Sequence, residues 1–194
     1  NLYRVVKHHL EEFARQFETI LVSRDDFDRL KAQPPELLTD IQRAIRHYYL
    51  LRLAYASKVV NPTIAIARSR PLKLKINEVE QGLKHIHDRL GNTAIENLNY
   101  DKVIEKYDSE ESLFYLDPPY WNCEDYYGKD LFRREDFARI AEICRGIKGK
   151  CIISINDVPE VREIFKSFNI RTAETKYSIS GSNQSVGELL ITNY

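Results

Sequence analysis

Apolar residues near the start of the chain recur at helical spacing. Leu2, Val5, Val6, Leu10, Phe13 and Phe17 predict one helix over residues 1–18. The apolar run at 19–23 predicts a short strand, and Asp25 and Asp26 are candidate caps for a helical segment around 27–30. Pro34-Pro35 breaks the chain, and Pro35 suits the first turn of a long helix over 36–55. That helix carries Leu37, Ile41, Ile45, Tyr48 and Tyr49, and the two tyrosines are expected on its packed face. Periodicity fades over 57–75, where Asn61-Pro62 and Arg70-Pro71 predict a loop with room for a hairpin.

Further along, short apolar runs begin to alternate with helical patterns. Val79, Leu83, Ile86 and Leu90 predict an amphipathic helix over 77–90, ended by Gly91. A strand is expected at 93–96, a short helix at 100–107 and a buried strand at 112–116. A helix over 134–147 stopped by Gly149, a strand at 151–155 and a helix over 159–168 opened by Pro159 follow. Two last strands are expected at 170–177 and 188–193. Strands alternating with helices through 93–194 define an α/β sheet. There is no internal repeat and no low-complexity segment.

Composition places this 194-residue chain among globular proteins: 43% of residues are apolar and 30% charged. No apolar run approaches the ~18 residues of a membrane span, and no secretory leader is visible, so no membrane partner is expected. Three cysteines, Cys123, Cys144 and Cys151, cannot close a disulfide framework and lack a zinc-site spacing; a reducing, cytoplasmic setting is expected. The net charge is zero, but residues 41–77 hold Arg43, Arg46, Arg52, Lys58, Arg68, Arg70, Lys73 and Lys75 and no acidic residue. A wholly basic segment in a neutral chain suggests a face for a polyanion, and equally a solvated helix face with a basic loop.

The stretch Asp117-Pro118-Pro119-Tyr120 directly follows the strand predicted at 112–116. A carboxylate at the carboxyl end of a strand sits where α/β proteins bind ligands. Two prolines stiffen the loop and remove two N–H donors, while the Pro118 carbonyl stays able to accept. Asp117 and the Pro118 carbonyl are then two acceptors beside an aromatic face, a receptor for a planar molecule bearing an amino group. Read blandly, the same four residues are a strand followed by a rigid turn. Trp121, Tyr126 and Tyr127 could extend a pocket wall or simply pack.

These residues resemble the carboxyl-terminal two-thirds of a Dam-like N6-adenine DNA methyltransferase, in which D-P-P-Y follows the fourth strand of the sheet. Asn1-Leu2-Tyr3-Arg4-Val5-Val6-Lys7 is similar to the family's helix after its acidic ribose-binding loop. Asn99-Tyr100 stands at about the spacing of its polar–aromatic motif beside the cofactor adenine. Ile153-Ser154-Ile155-Asn156 resembles the next strand, and Glu188-Leu189-Leu190-Ile191-Thr192-Asn193-Tyr194 the last.

The resemblance implies a Rossmann-like α/β methyltransferase fold that uses S-adenosylmethionine and no metal. It implies that an adenine flipped out of duplex DNA stacks on Tyr120, with its amino group held by Asp117 and the Pro118 carbonyl in the loop that Pro119 completes. Asn99, Tyr100 and Asp117 are the implied cofactor residues. Residues 36–75 fill the slot of a helical or loop target-recognition insertion, with Arg46, Arg52, Lys58, Arg68 and Arg70 as DNA contacts. Residues 1–35 and 76–194 form the implied catalytic domain. A cognate restriction endonuclease is a further implied partner.

The seven glycines here contain no G-x-G, so the family's Gly-rich cofactor loop has no counterpart, and its acidic ribose-binding residue is missing with it. They are expected upstream of Asn1 or on another chain, leaving the sheet incomplete as given; a first residue of Asn and the lack of Met fit a fragment. The stretch 58–70 has no glycine where the family carries one, which leaves the target sequence open. Two other readings compete: a DNA-binding remnant without catalysis, favoured by the missing loop, and methyl transfer to RNA or protein, disfavoured by Asp in place of Asn at 117.

Overall fold

The computed structural model describes residues 1–66, 74–124, 128, 131–176 and 185–194. The chain forms two compact units, Asn1–Ile95 and Glu96–Tyr194.

The first unit is helical: α1 (Leu2–His8), α2 (Leu10–Phe17), α3 (Arg24–Ala32), α4 (Asp40–Leu53) and α5 (Val79–Arg89). The apolar spacing over 1–18 is real, but His9 leaves helical geometry and divides it into α1 and α2. Its core gathers Val5, Val6, Phe13, Phe17, Phe27, Ala44, Ile45, Tyr49 and Leu53. Each large side chain removed from water there contributes roughly 1.5–3 kcal/mol. Tyr49 is fully buried and donates its hydroxyl to the Leu21 carbonyl at 3.0 Å; Tyr48 packs edge-on against Phe13 and Phe17. Both tyrosines thus serve packing, as expected.

Several local expectations for this unit are corrected. Residues 19–23 form no strand: Ile20 and Val22 pack on the core, and no neighbouring segment offers them a ladder. The cap of α3 is Ser23, whose Oγ accepts from Asp26 N at 3.0 Å, while Asp25 and Asp26 occupy the first turn. Pro35 opens only a one-turn 3-10 helix, and α4 starts five residues later behind Thr39, which forms a reciprocal capping box with Gln42. Residues 93–96 are exposed and form no strand. The loop after α4 closes through an isolated antiparallel bridge between Ala54 and Ile64. Ala44, Ile45, Tyr49, Leu50 and Leu53, from the segment given to target recognition, share one core with Val5, Val6, Phe13, Phe17 and Phe27.

The second unit contains α6 (Tyr100–Tyr107), β1 (Leu113–Leu116), α7 (Arg134–Gly146), β2 (Lys150–Asn156), α8 (Pro159–Ile164), β3 (Asn169–Lys176) and β4 (Ser185–Thr192). The strands lie in the order β1-β2-β4-β3. β1 runs parallel to β2, whereas β4 is antiparallel to both β2 and β3. This is the α/β class expected, with a partial, mixed sheet.

One face of the sheet presents Cys151, Ile153, Ile155, Leu189 and Ile191 to Phe137, Ile140, Cys144 and Phe165 of the helical layer. β1 alternates instead of being buried throughout: Leu113 and Tyr115 are each 61% exposed, and Phe114 and Leu116 face the core.

Two polar fasteners lock the turns below the strands. Asp108 accepts from the amides of Lys148 and Gly149 at 3.0 Å. Asn193 accepts from Cys151 N at 2.8 Å and donates to the carbonyls of Cys144 and Gly149 at 3.1 Å. Gly149 does not stop α7, which ends at Gly146. Its task is close approach: a Cβ there would lie 2.7 Å from the Ser112 carbonyl oxygen and 2.8 Å from that of Ser109.

Candidate functional site

β1 delivers its chain directly into Asp117-Pro118-Pro119-Tyr120 at the carboxyl end of a parallel pair, the end at which open α/β sheets take ligands. Asp117 is exposed, and no side chain among the described residues pairs with its carboxylate. Pro118, Pro119 and Tyr120 are half-buried. The loop closes as Cys123 N donates to the Tyr120 carbonyl at 2.8 Å, and Asn122 takes a positive φ of 71° to make that turn.

The far end of this loop is fastened from the sheet. Asn156, the last residue of β2, accepts from Trp121 N at 2.8 Å and returns a longer bond to the Trp121 carbonyl. Tyr120 donates its hydroxyl to Glu188 Oε1 at 3.3 Å, and Ser154 Oγ donates to the same oxygen. Ser154 is buried, 3% exposed. Trp121, 8% exposed, packs at a tilt against Phe137 with centroids 5.1 Å apart, and Arg134 lies 4.2 Å over its ring. Arg134 also donates to Asn122 Oδ1 at 2.7 Å and Glu124 Oε1 at 2.9 Å. Trp121 is therefore packing that braces the loop. Tyr126 and Tyr127 lie outside the described residues.

Tyr100 joins the same cluster. Its hydroxyl donates to Asp136 Oδ1 at 2.7 Å, while the other oxygen of Asp136 accepts from Arg133 N at 2.7 Å and caps α7. Burial, and then Asp136, hold the Tyr100 phenol well above the usual tyrosine range, so it stays protonated and keeps that bond. Phe132 links the Tyr100 ring to Phe137 and thus to Trp121. Asn99 precedes α6 as an exposed cap residue whose side chain caps nothing. Burial and then Glu124 push the Cys123 thiol up, which suits no nucleophile.

The basic candidates belong to the helical unit and differ in their tasks. Arg46 donates from Nε to the Leu30 carbonyl at 2.7 Å and from Nη2 to that of Lys31 at 3.0 Å, closing the end of α3. Arg52 lies 6.0 Å over the Tyr48 ring. Lys58 is exposed and lines a cavity of about 130 Å³ with Lys31, Arg46 and His47 around an apolar floor that includes Leu50. Burial and then the Arg46 charge lower the His47 pKa. Arg68 and Arg70 lie outside the described residues.

Asn156, Glu188, Ser154 and Asp136 are the participants that spacing alone misses. Their signal is a short polar residue inside or ending an apolar strand, or opening a helix, where solvation alone does not explain it.

A family model described as D12 class N6 adenine-specific DNA methyltransferase matches residues 1–179. A curated relative, the Type II methyltransferase M.CviBI of Paramecium bursaria Chlorella virus NC1A, is 28% identical over 111 residues, or 54% of this chain and 43% of that protein. The chain spans less than half the length of this relative.

Proposed function

The chain belongs to the D12 class of N6 adenine-specific DNA methyltransferases, and from that premise we propose that it transfers a methyl group from S-adenosylmethionine to N6 of an adenine flipped out of duplex DNA. The observation that carries this reading is Asp117: a carboxylate at the mouth of β1, exposed, with no structural pairing among the described residues, in a loop fastened by its neighbours. A charged side chain left unpaired on so rigid a support is suited to a ligand.

In this reading Asp117 and the Pro118 carbonyl accept hydrogen bonds from the adenine amino group. Those bonds draw the N6 lone pair out of conjugation with the ring and aim it. Tyr120 stacks on the base, and the stiff Pro118-Pro119 pair keeps the two acceptors in place. Most of the rate enhancement is orientation and electrostatics.

The donor set fits the cofactor's adenosine part: Asn99 offers an amide its own helix does not use, and the Tyr100 ring offers an aromatic face held by Asp136. S-adenosylmethionine, when bound, supplies an electrophilic methyl on a sulfonium whose sulfur leaves as a neutral thioether.

Lys58, with Lys31 and His47 beside it, suits contact with DNA phosphates; Arg52, Arg68 and Arg70 are further candidates in the segment 36–75 assigned to target recognition. The designation of the relative as a Type II methyltransferase supports a modification role opposite a cognate restriction endonuclease.

The test is nucleoside mass spectrometry after incubation of the intact protein with S-adenosylmethionine and unmethylated DNA. N6-methyladenine should form, and Asp117→Ala should lower its rate by about 10²–10³-fold. Full activity in Asp117→Ala would overturn the assignment.

A further inference from the structure

Tyr120 and Trp121 are held by groups from two strands that are remote in sequence. Tyr120 donates its hydroxyl to Glu188 Oε1, on the inner strand β4, over 3.3 Å. Ser154, in the middle of β2 and 3% exposed, donates to the same carboxylate oxygen. Glu188 lies opposite Asn156 in the β2–β4 register, and Asn156 grips both backbone polar groups of Trp121.

The neighbouring backbone keeps this corner tight. Asp157 N donates to the Gly187 carbonyl at 2.8 Å, and a Cβ at Gly187 would lie 3.1 Å from the Asp157 Cβ. The four residues from Asp117 to Tyr120 are thus fixed by β1 at one end and by β2 and β4 at the other. Between them the two prolines allow little internal adjustment.

A stacking ring needs a defined plane. An aromatic ring attached through two rotatable bonds can tilt and swing unless its far end is held. We infer that Glu188, oriented by Ser154, is a positioning residue that sets the plane of the Tyr120 ring. Through it, Glu188 sets where a stacked adenine meets Asp117 and the Pro118 carbonyl. The inference rests on the reading of Tyr120 as the stacking face. Its cause is local: a phenol ring tethered at its hydroxyl presents one face, whereas a phenylalanine ring at the same site samples several. A misplacement of the base by a fraction of an ångström lowers the chemical step without weakening the phosphate contacts that hold DNA.

The experiment uses the intact protein and unmethylated plasmid DNA. It measures the methylation rate constant at saturation and the KM for DNA in Tyr120→Phe, Glu188→Ala, Glu188→Gln and Tyr120→Ala. Melting curves confirm that each variant is folded at the assay temperature. Tyr120→Phe and Glu188→Ala should each lower kcat about 5–10-fold, with KM within twofold of the parent, on the scale of one lost hydrogen bond. The double variant Tyr120→Phe/Glu188→Ala should be no slower than the worse single variant, because both remove one link. Glu188→Gln keeps an acceptor and should recover most of the rate, an outcome that loss of charge or of fold would not give.

Tyr120→Ala should be far slower than all of these. If Tyr120→Ala is slow while Tyr120→Phe and Glu188→Ala turn over at the parent rate, the positioning role is wrong and stacking stands. If Tyr120→Ala itself retains the parent rate, the stacking reading fails and this inference falls with it. Multiplicative losses in the double variant would also overturn the inference.

Discussion

The segment around Asp117 and the basic segment of the helical unit are both rich in charge, and they use it in opposite ways. Around Asp117 the holding is done by Asn156 on Trp121, by two carboxylates, Glu188 on Tyr120 with Ser154 behind it and Asp136 on Tyr100, and by Arg134 over the Trp121 ring. The acid that the motif places first is left without a pairing among the described residues. In the basic segment several cations are engaged by groups of the same unit. Arg46 closes α3, Arg43 pairs with Asp40 and Lys75 with Glu78, and Arg52 rests near Tyr48. A run of basic residues in a sequence is therefore a poor measure of charge available to a ligand. A lone acid on a rigid turn is a better one.

The sharpest way to break that contrast is to attack the scaffold of each region separately. Gly149→Ala would drive a methyl group against two backbone carbonyls that cannot swing away. It should destabilise the sheet unit by about 2–4 kcal/mol in denaturant titration, a core-overpacking penalty without a flexible neighbour to absorb it. Arg46→Ala is next. It leaves the Leu30 and Lys31 carbonyls without their partner and should cost about 1–3 kcal/mol in the same titration. Its salt dependence of DNA binding should stay near that of the parent; a slope reduced as for a lost phosphate contact would return Arg46 to the DNA-contact set.

Lys58→Glu should do the reverse. Stability should hold within about 0.5 kcal/mol, while DNA binding weakens and the slope of log K against log salt falls by about one. An unchanged slope would remove Lys58 from the interface.

The smallest expected effect is a pH response. The amides of Lys148 and Gly149 hold the Asp108 carboxyl below its ordinary range. A depressed folded pKa means stability that is complete above the unfolded carboxylate pKa of about 3.9 and is lost as pH falls through the folded value. Asp108→Asn should therefore flatten the acid limb of the stability curve below about pH 4, and an unaltered limb would show that this turn is not held by charge.

The strong periodic segments of the chain were legible because each buries one face against a partner nearby. α6, α7 and the strands β1 to β4 stand where their apolar patterns predict, and the placement of Asp117 at the mouth of β1 follows from them. What was not legible depended on non-local or short-range polar detail. His9 interrupts an unbroken apolar stripe, and Thr39 outcompetes Pro35 as the start of α4 through a two-way cap. The apolar runs at 19–23 and 93–96 have strand-like composition but no neighbour to complete a ladder, and composition cannot supply one. Within the site, Asn156 and Glu188 reach residues 35 and 68 positions away, a distance over which no local pattern speaks. Charge counting also cannot tell a cation that closes a helix, as Arg46 does, from one left to solvent.

The strand order carries a consequence for how the polypeptide is made. β4 follows β1, β2 and β3 along the chain, yet it lies inside the sheet between β2 and β3. Among the described strands β3 pairs only with β4, so until residue 192 has left the ribosome β3 lacks that partner and the β4 side of β2 stays an open edge that other unfinished chains could occupy. The same late strand brings Glu188 to Tyr120. The hold on Tyr120 and the joining of β2 to β3 therefore arrive together, and a polypeptide whose synthesis stalls short of β4 has neither.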